Sequence, residues 1–289
     1  MLSMMGRRGF TLVELVFAML ITLIVCGSVY QLLLTTQRVG QAQAAHATLQ
    51  SNVRAASIVV TNELRELQTL PGGTPVQNDV LSIAPADISY RAMRGTGFVC
   101  QGIGTSQLRI AQNSYSGLRD PQAGRDSVFI FVEGDPAIET DDSWMPLALT
   151  GVAKTSACPA GLGPGITLTT SPNAALDGLN TGTPVRIFEI MQLKLYRSEG
   201  KSWLGARSVS AGEAIQPVVG PLRDGDGLLL EYLDGAGVVT ADATRVKSIR
   251  VTVRGIAESS VKDGSGSGEL ARPEEELVSQ VVLRNSIRP

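Results

Sequence analysis

Histidine is nearly missing from this chain: His46 is the single one among 289 residues. A Ser-His-Asp or Cys-His centre has only that residue to draw on, and it falls within a long helical segment, so nucleophilic catalysis of these types has no suitable base. Cysteine is almost as scarce, with three residues. None stands at zinc-ligand spacing and no His-Glu-x-x-His run occurs, so no metal centre is expected. The glycine-rich stretches Gly95-Thr96-Gly97 and Gly161-Leu162-Gly163-Pro164-Gly165 match neither nucleotide-binding fingerprint and read as loops, which leaves no cofactor to expect. An excess of positive charge is lacking too, since the formal net charge is -2. Nucleic-acid binding therefore gains no support from the charge balance. The expectation is a non-enzymatic protein with no catalytic residue.

What the sequence does have is a long apolar run, entered through Arg7-Arg8-Gly9-Phe10-Thr11-Leu12-Val13-Glu14-Leu15 and reaching Leu34. Its length exceeds the roughly 20 apolar residues that a membrane-spanning helix needs. Arg7 and Arg8 lie just before it, and basic flanks stay cytoplasmic, so the C-terminal bulk faces the periplasm or the cell exterior. One acid, Glu14, sits near the front of the run. An ionised carboxylate in a membrane costs a few kcal/mol and usually marks function, with a partner to be found. An ordinary secretory signal fits poorly, because its cleavage site follows the apolar region whereas Gly9 precedes this one. A lipoprotein leader ending at Cys26 lacks the small residues it needs at Ile24-Val25. The stretch resembles the prepilin signal shared by type IV pilins and type II secretion pseudopilins: a short basic leader, Gly, an N-methylated Phe, and Glu as the fifth mature residue. The resemblance implies cleavage between Gly9 and Phe10 by prepilin peptidase, methylation of Phe10, and assembly into a filament. It also implies that Glu14 pairs with the Phe10 ammonium of a neighbouring subunit during docking. Loss of Arg7 and Arg8 with the leader takes the formal charge from -2 to -4, leaving 23 basic against 27 acidic residues.

Nothing breaks a helix from Phe10 until Leu70, where Pro71-Gly72-Gly73 stops it. At 1.5 Å per residue such a helix is about 90 Å long and extends well past a bilayer. Its first half is apolar nearly all round. Its second half carries Leu49, Val53, Ala56, Val60, Leu64 and Leu67 at spacings of three and four, with Arg54, Glu63, Arg65, Glu66 and Gln68 mostly off that stripe, so one face is prepared to lie on a globular domain.

From Asp79 onward the pattern becomes β-rich. Strands are expected near Val80–Ile83, Ile88–Met93, Gln107–Ala111, Ser127–Glu133, Ile166–Thr170, Val185–Arg197, Leu228–Leu233, Val246–Arg254 and Leu277–Leu283. Asp234-Gly235 is a hairpin signal, and the sheet is expected to be largely antiparallel. The alternation of Val246–Arg254 slips near Ser248, which a bulge explains. Gly95–Gly104 and Thr155–Gly165 read as turn-rich stretches that hold Cys100 and Cys158. Two exported thiols in an oxidising compartment favour one disulfide, which pins these stretches together. Glu258–Glu276 reads as a mobile Gly/Ser/Glu loop. Acidic turns at Asp224-Gly225-Asp226 and Glu139-Thr140-Asp141-Asp142 are too sparse for a calcium site with six to eight oxygens and read as solvated turns. Trp144 and Trp203 read as sheet or core residues.

After the helix, the chain is similar to large minor pilins of the PilW-like and pseudopilin J-like kinds. The similarity is carried by Asp126–Phe131, Gly182–Ile187, Tyr196-Arg197 with Trp203-Leu204, and Gly227–Asp234 ahead of Val246–Arg254. The implied fold is α+β and pilin-like, a long N-terminal helix packed on a mainly antiparallel sheet. The implied organisation is a cleaved leader (1–9), a transmembrane and filament-core half-helix (10–34), a periplasmic amphipathic half-helix (35–70) and a β-rich domain (71–289). The implied role is that of a structural subunit helping to initiate or cap a type IV pilus or type II secretion pseudopilus. Its partners would be other minor subunits, the major subunit, prepilin peptidase and the inner-membrane assembly platform. A tip adhesin, a DNA-uptake binding subunit and a simply anchored periplasmic domain are the alternatives.

Overall fold

A computed structural model describes residues 11–69, 78–134, 137, 142–154, 156–262 and 270–284. Helix α1 runs Leu12–Arg65. Contacts divide the chain into two compact units, one of residues up to Leu49 with 257–273, the other of 50–256 with 274–289.

In the second unit the last turns of α1 lie on a sheet. The stripe residues Val53, Ala56, Val60, Leu64 and Leu67 are each no more than 1% exposed. An aliphatic side chain buried in this way contributes about 1.5–3 kcal/mol, so this face, rather than helix propensity, holds the helix down. Polar contacts set its register: Asn52 Nδ2 donates to the Gly220 carbonyl at 3.0 Å, the Ser57 and Ser279 hydroxyls meet at 3.1 Å, and the Tyr90 hydroxyl donates to Glu63 Oε2 at 3.0 Å.

The helix stops at Arg65 rather than Leu70, and the reason is tertiary. Arg284 N–H donates to the Leu67 carbonyl, Asp79 N–H to the Gln68 carbonyl and Gln68 N–H to Asp79 Oδ2, each at 2.9 Å. The Thr69 hydroxyl donates to the Val246 carbonyl, and Lys247 Nζ reaches the Thr69 carbonyl at 3.0 Å. Extended backbone thus takes over the groups a further helical turn would use. Leu70 and Pro71–Gly73 lie outside the described residues.

Asp79 is buried in this latch, and burial pushes its carboxyl up to about 6 against the opposing pull of the Gln68 N–H, Arg91 and Arg186. A carboxyl raised above its unfolded value costs stability at neutral pH, and the cost is relieved as pH falls through about 6 towards the unfolded value of 3.8. Asp79→Asn, which keeps the acceptor for Gln68, is expected to raise stability at pH 7.5 by about 1–3 kcal/mol and to change it little at pH 4. Denaturant unfolding at the two pH values checks this, and an equal effect at both would mean that the ionised carboxylate carries no penalty.

The strands that follow are β1 (Val80–Ala84), β2 (Asp87–Ile103), β3 (Gln107–Ala111), β4 (Ser116–Gly117), β5 (Ser127–Val132), β6 (Ser143–Ala153), β7 (Gly165–Thr170) and β8 (Pro184–Ser198). They continue with β9 (Lys201–Ser208), β10 (Gln216–Leu222), β11 (Leu228–Leu233), β12 (Ser248–Ile256), β13 (Val261–Lys262), β14 (Leu270–Ala271) and β15 (Glu274–Val282). Among the described residues every pairing of these strands is antiparallel.

Two long strands, β2 and β8, build both halves of the second unit. The C-terminal half of β2 pairs β3, which continues through β7, β6 and β5 to the N-terminal half of β8, and that half pairs back on β2. Six strands thereby close a ring. Its interior is filled from every strand: Val99, Leu108, Ile110, Val128, Ile130, Leu147, Leu149, Ile166, Leu168, Val185 and Ile187, with Leu176 packed among them. Closure removes the free edges that an open sheet of this size would expose. The other halves of β2 and β8 join β1, β9, β10, β12, β11 and β15 in the sheet that carries the helix.

A buried ionic cluster marks the place where ring and sheet meet. The β2–β8 register slips by one residue between Met93 and Gly95, leaving Arg94 as the bulged residue. Arg94 Nε donates to Glu189 Oε2 at 2.9 Å, Arg119 Nη2 approaches the same oxygen at 3.3 Å, and Arg125 Nε lies 2.6 Å from Glu189 Oε1. Arg119 also grips buried Asp126 with two bonds of 2.6 Å, Arg125 pairs with Glu213 at 2.5 Å, and Arg94 reaches Glu63 on the helix at 3.9 Å. Burial pushes the Glu189 carboxyl up, but Ser208, Arg94 and Arg125 more than offset it and leave it below the usual range.

Several sequence expectations need correction. Gly95–Ile103 is strand, not turn. The place of a Cβ on Gly95 is taken by Tyr115, whose hydroxyl would be 2.4 Å and whose ring 2.7 Å away, and one on Gly102 would stand 3.0 Å from the Leu176 carbonyl. These glycines serve close approach, not chain reversal. Asp234-Gly235 reverses the chain through Asp234 Oδ1, which accepts from Ala236 and Val238, but only the single bridge Leu233↔Val239 follows, and β11 pairs instead with β12. No bulge lies at Ser248: β12 begins there, in unbroken register with both β11 and β15. Glu274 and Glu276 are not loop acids but the start of β15, paired with Arg223 at 2.9 Å and Arg254 at 2.5 Å. In the first unit, β13 and β14 pair within the expected loop, whose residues 263–269 lie outside the described set. Strands β6, β9 and β10 were not expected, because Pro146, Gly151, Gly205, Pro217 and Pro221 interrupt their patterns.

Candidate processing and assembly site

Gly9 and Phe10 lie outside the described residues, so the site is built from Thr11 onward. Leu15 N–H bonds the Thr11 carbonyl at 3.2 Å, making Thr11 the helix N-cap. Glu14 N–H donates to Thr11 Oγ1 at 3.3 Å, and Glu14 Oε2 accepts from Thr11 N–H at 3.1 Å and from its hydroxyl at 3.2 Å. This is a reciprocal capping box, which satisfies donors at the helix start that have no partner within the helix. A carboxylate there also complements the positive end of the helix dipole. Thr11 is thus a site residue beyond those the signal resemblance names, although the Thr11-x-x-Glu14 spacing is itself the signature of such a box.

Between Leu12 and Gln37, Glu14 is the only residue charged at neutral pH, and the next charge is Arg38. The helix has mean hydropathy 2.5 over its apolar window, which is not buried within the protein. Between Leu12 and Gln37 each Ser and Thr hydroxyl bonds within the helix: Thr22 donates to the Ala18 carbonyl at 2.7 Å, Ser28 to Ile24 at 2.9 Å, Thr35 to Gln31 at 2.9 Å and Thr36 to Leu32 at 2.8 Å. Such bonding to the preceding turn removes the penalty these groups would otherwise carry in lipid. Cys26 is a free, exposed thiol on the same helix, and His46 is exposed further along it.

The remaining candidate residues lie in the second unit. Cys100 and Cys158 are joined in a disulfide, with Cα atoms 5.8 Å apart. Cys100 is within β2, and Cys158 opens a short 3-10 turn at Pro159–Gly161. Asp224 is engaged by Ser202 and Arg197, and Asp226 by Arg223 and Arg254, so cationic side chains already occupy this acidic turn. Glu139–Asp141 lie outside the described residues, and Asp142 accepts from Gly134 N–H at 3.2 Å. Among the described residues no group of His, Cys, Asp and Glu side chains is arranged to hold a metal. Trp144 and Trp203 both lie in strands.

The long apolar helix packed on a large antiparallel sheet is a pilin-like α+β fold. Residues 4–30 match the family model described as the prokaryotic N-terminal methylation motif, the type IV pilin and pseudopilin signal. No curated protein and no solved structure matches the chain. The chain is thus a pilin-like protein with an N-methylation signal, and that signal implies processing by prepilin peptidase and assembly with pilins. Together with the apolar helix, it points to inner-membrane anchoring before pilus assembly, in a class of structural proteins that are usually not enzymes.

Proposed function

We propose that this chain is a minor pilin or minor pseudopilin that helps to initiate or cap a type IV pilus or type II secretion pseudopilus. The observation that carries the reading is the methylation motif at residues 4–30, which runs into a helix whose apolar stretch holds one carboxylate. In this reading residues 1–9 are removed, 10–34 anchor in the inner membrane and later pack in the filament core, 35–70 continue the helix into the periplasm, and 71–289 form the exposed β-rich domain. The partners are the other minor subunits, the major subunit, prepilin peptidase and the assembly platform.

Glu14 has two partners in this scheme. In the lone subunit its carboxylate is held by its own Thr11, as the capping box provides. During docking it turns to the methylated ammonium of a neighbour's Phe10, where scarce water strengthens the attraction between opposite charges.

Mass spectrometry of the membrane-extracted chain tests the reading. With prepilin peptidase present the mature protein starts at N-methylated Phe10, and without it the leader is retained. A start after the apolar run would sink the filament-subunit reading. Glu14→Ala is expected to leave membrane insertion unchanged and to lower recovery in sheared filaments by about tenfold or more, the scale of one desolvated ion pair. Normal recovery would remove the docking role.

A further inference from the structure

Beside the helix exit the second unit holds an open cavity of about 710 Å³, bordered by Glu66, Asp79, the Met93–Thr96 stretch of β2, β4 with Leu118, Arg186 and Arg284. Small-molecule sites usually measure about 300–1,000 Å³. Three guanidiniums reach this cavity, and they are not equally available. Arg94 is committed to Glu189 at 2.9 Å. Arg284 shares an ion pair of 3.0 Å with Glu66, with both side chains more than 60% exposed. Such a pair contributes little and exchanges readily for another anion. Arg186 is exposed and makes no hydrogen bond or close ion pair among the described residues, although it attracts the Asp79 carboxylate that borders the same cavity. Its guanidinium lies 4.3 Å from the centroid of the Trp144 ring. That stacking fixes the orientation of the guanidinium plane while leaving its N–H edge to a ligand.

The other groups restrict what such a ligand can be. Asp79 is a buried carboxylate with one oxygen on Gln68 N–H, which leaves acceptor capacity for a ligand hydroxyl. The Thr96 hydroxyl donates to the Val185 carbonyl at 3.1 Å and keeps its lone pairs, and Ser116 adds a second hydroxyl. An inorganic anion, charged on every side, meets repulsion from Asp79 and Glu66. A neutral sugar leaves Arg186 unmatched. The geometry points to this cavity as a binding site for an acidic saccharide, its carboxylate held by Arg186 and Arg284 and its hydroxyls by Asp79, Thr96 and Ser116. Met93 and the exposed Leu118 supply apolar contact for the ring carbons.

Calorimetric titration of the detergent-solubilised full chain with D-glucuronate, D-glucose and inorganic phosphate tests this site. Saturable binding of glucuronate is expected, with glucose and phosphate each at least about tenfold weaker. Arg186→Gln is expected to weaken glucuronate binding by about tenfold, the scale of a lost bidentate charge-assisted contact, and Arg284→Gln to weaken it less. Both residues are exposed, so the variants should fold, and unchanged thermal unfolding verifies it. Trp144 emission should shift on binding in the parent chain and not in Arg186→Gln. The inference is overturned by an absence of saturable glucuronate binding, by equal affinity in Arg186→Gln, or by phosphate binding as tightly as glucuronate. Because the titration uses the unassembled chain, its outcome is independent of filament incorporation.

Discussion

Glu189→Ala is expected to be the most damaging single substitution in the β-rich unit, with a loss of about 3–5 kcal/mol, the scale for breaking a buried charge cluster from one side. Glu189 is 1% exposed and is the shared counter-charge of Arg94, Arg119 and Arg125. Without it three guanidiniums converge at the seam between ring and sheet with no carboxylate at their centre. Arg119 keeps Asp126 and Arg125 keeps Glu213, but Arg94 is left with only the long contact to Glu63. Single domains are stable by about 5–15 kcal/mol, so this loss approaches the whole margin. Thermal unfolding of the full chain, followed by near-ultraviolet circular dichroism, measures it. A loss below about 1 kcal/mol would mean that water reaches the cluster and replaces the carboxylate. The same group sets an acid limit. Its carboxyl is held below the usual range, so the stability it contributes is present above the unfolded value and is lost as pH falls through the lowered folded one. Asp79 responds in the opposite sense, which allows the two to be separated in a pH series.

The second large effect is expected from Cys100→Ser combined with Cys158→Ser. The bridge closes a segment with a sequence separation of 58 residues, and the chain-entropy relation for a loop of this size gives about 4 kcal/mol, acting chiefly on the unfolded state. The native ring should survive, because its closure rests on strand pairing. The Cys158 loop keeps further ties: Cys158 N–H bonds the Gly163 carbonyl at 2.8 Å, and Arg109 Nη1 donates to the Ala157 carbonyl at 2.9 Å. The expected result is a lower unfolding midpoint with an unchanged far-ultraviolet spectrum, matched by reduction of the parent chain. If the oxidised and reduced forms unfolded at the same denaturant concentration, the bridge would be only a local clasp.

Legibility differed along the chain for physical reasons. The stripe Val53 to Leu67 was readable because helical period and burial coincide, and each of its residues is buried. Gln107–Ala111 and Leu228–Leu233 were readable to the residue because β-branched and aliphatic side chains stand between clear turn signals. Where glycine and proline occur inside strands, sequence and structure parted. Gly95 admits the Tyr115 ring, Gly205 admits Tyr196, and Pro146 occupies a paired position opposite Phe129. A single sequence cannot distinguish a glycine that turns the chain from one that yields space to a neighbour, since the neighbour is distant in sequence.

By itself the sequence determined the local features. These are the methylation motif, the apolar run with its lone carboxylate, the buried stripe of the helix and the antiparallel character of the sheet, all carried by residue order over short spans. The tertiary structure alone decided the rest. Strand order, closure of the ring across β2 and β8, the early end of the helix at Arg65 and the meeting of Arg94, Arg119 and Arg125 on Glu189 each depend on residues tens of positions apart. Such contacts follow from how hydrophobic faces find one another once the chain has collapsed, and no local pattern encodes them.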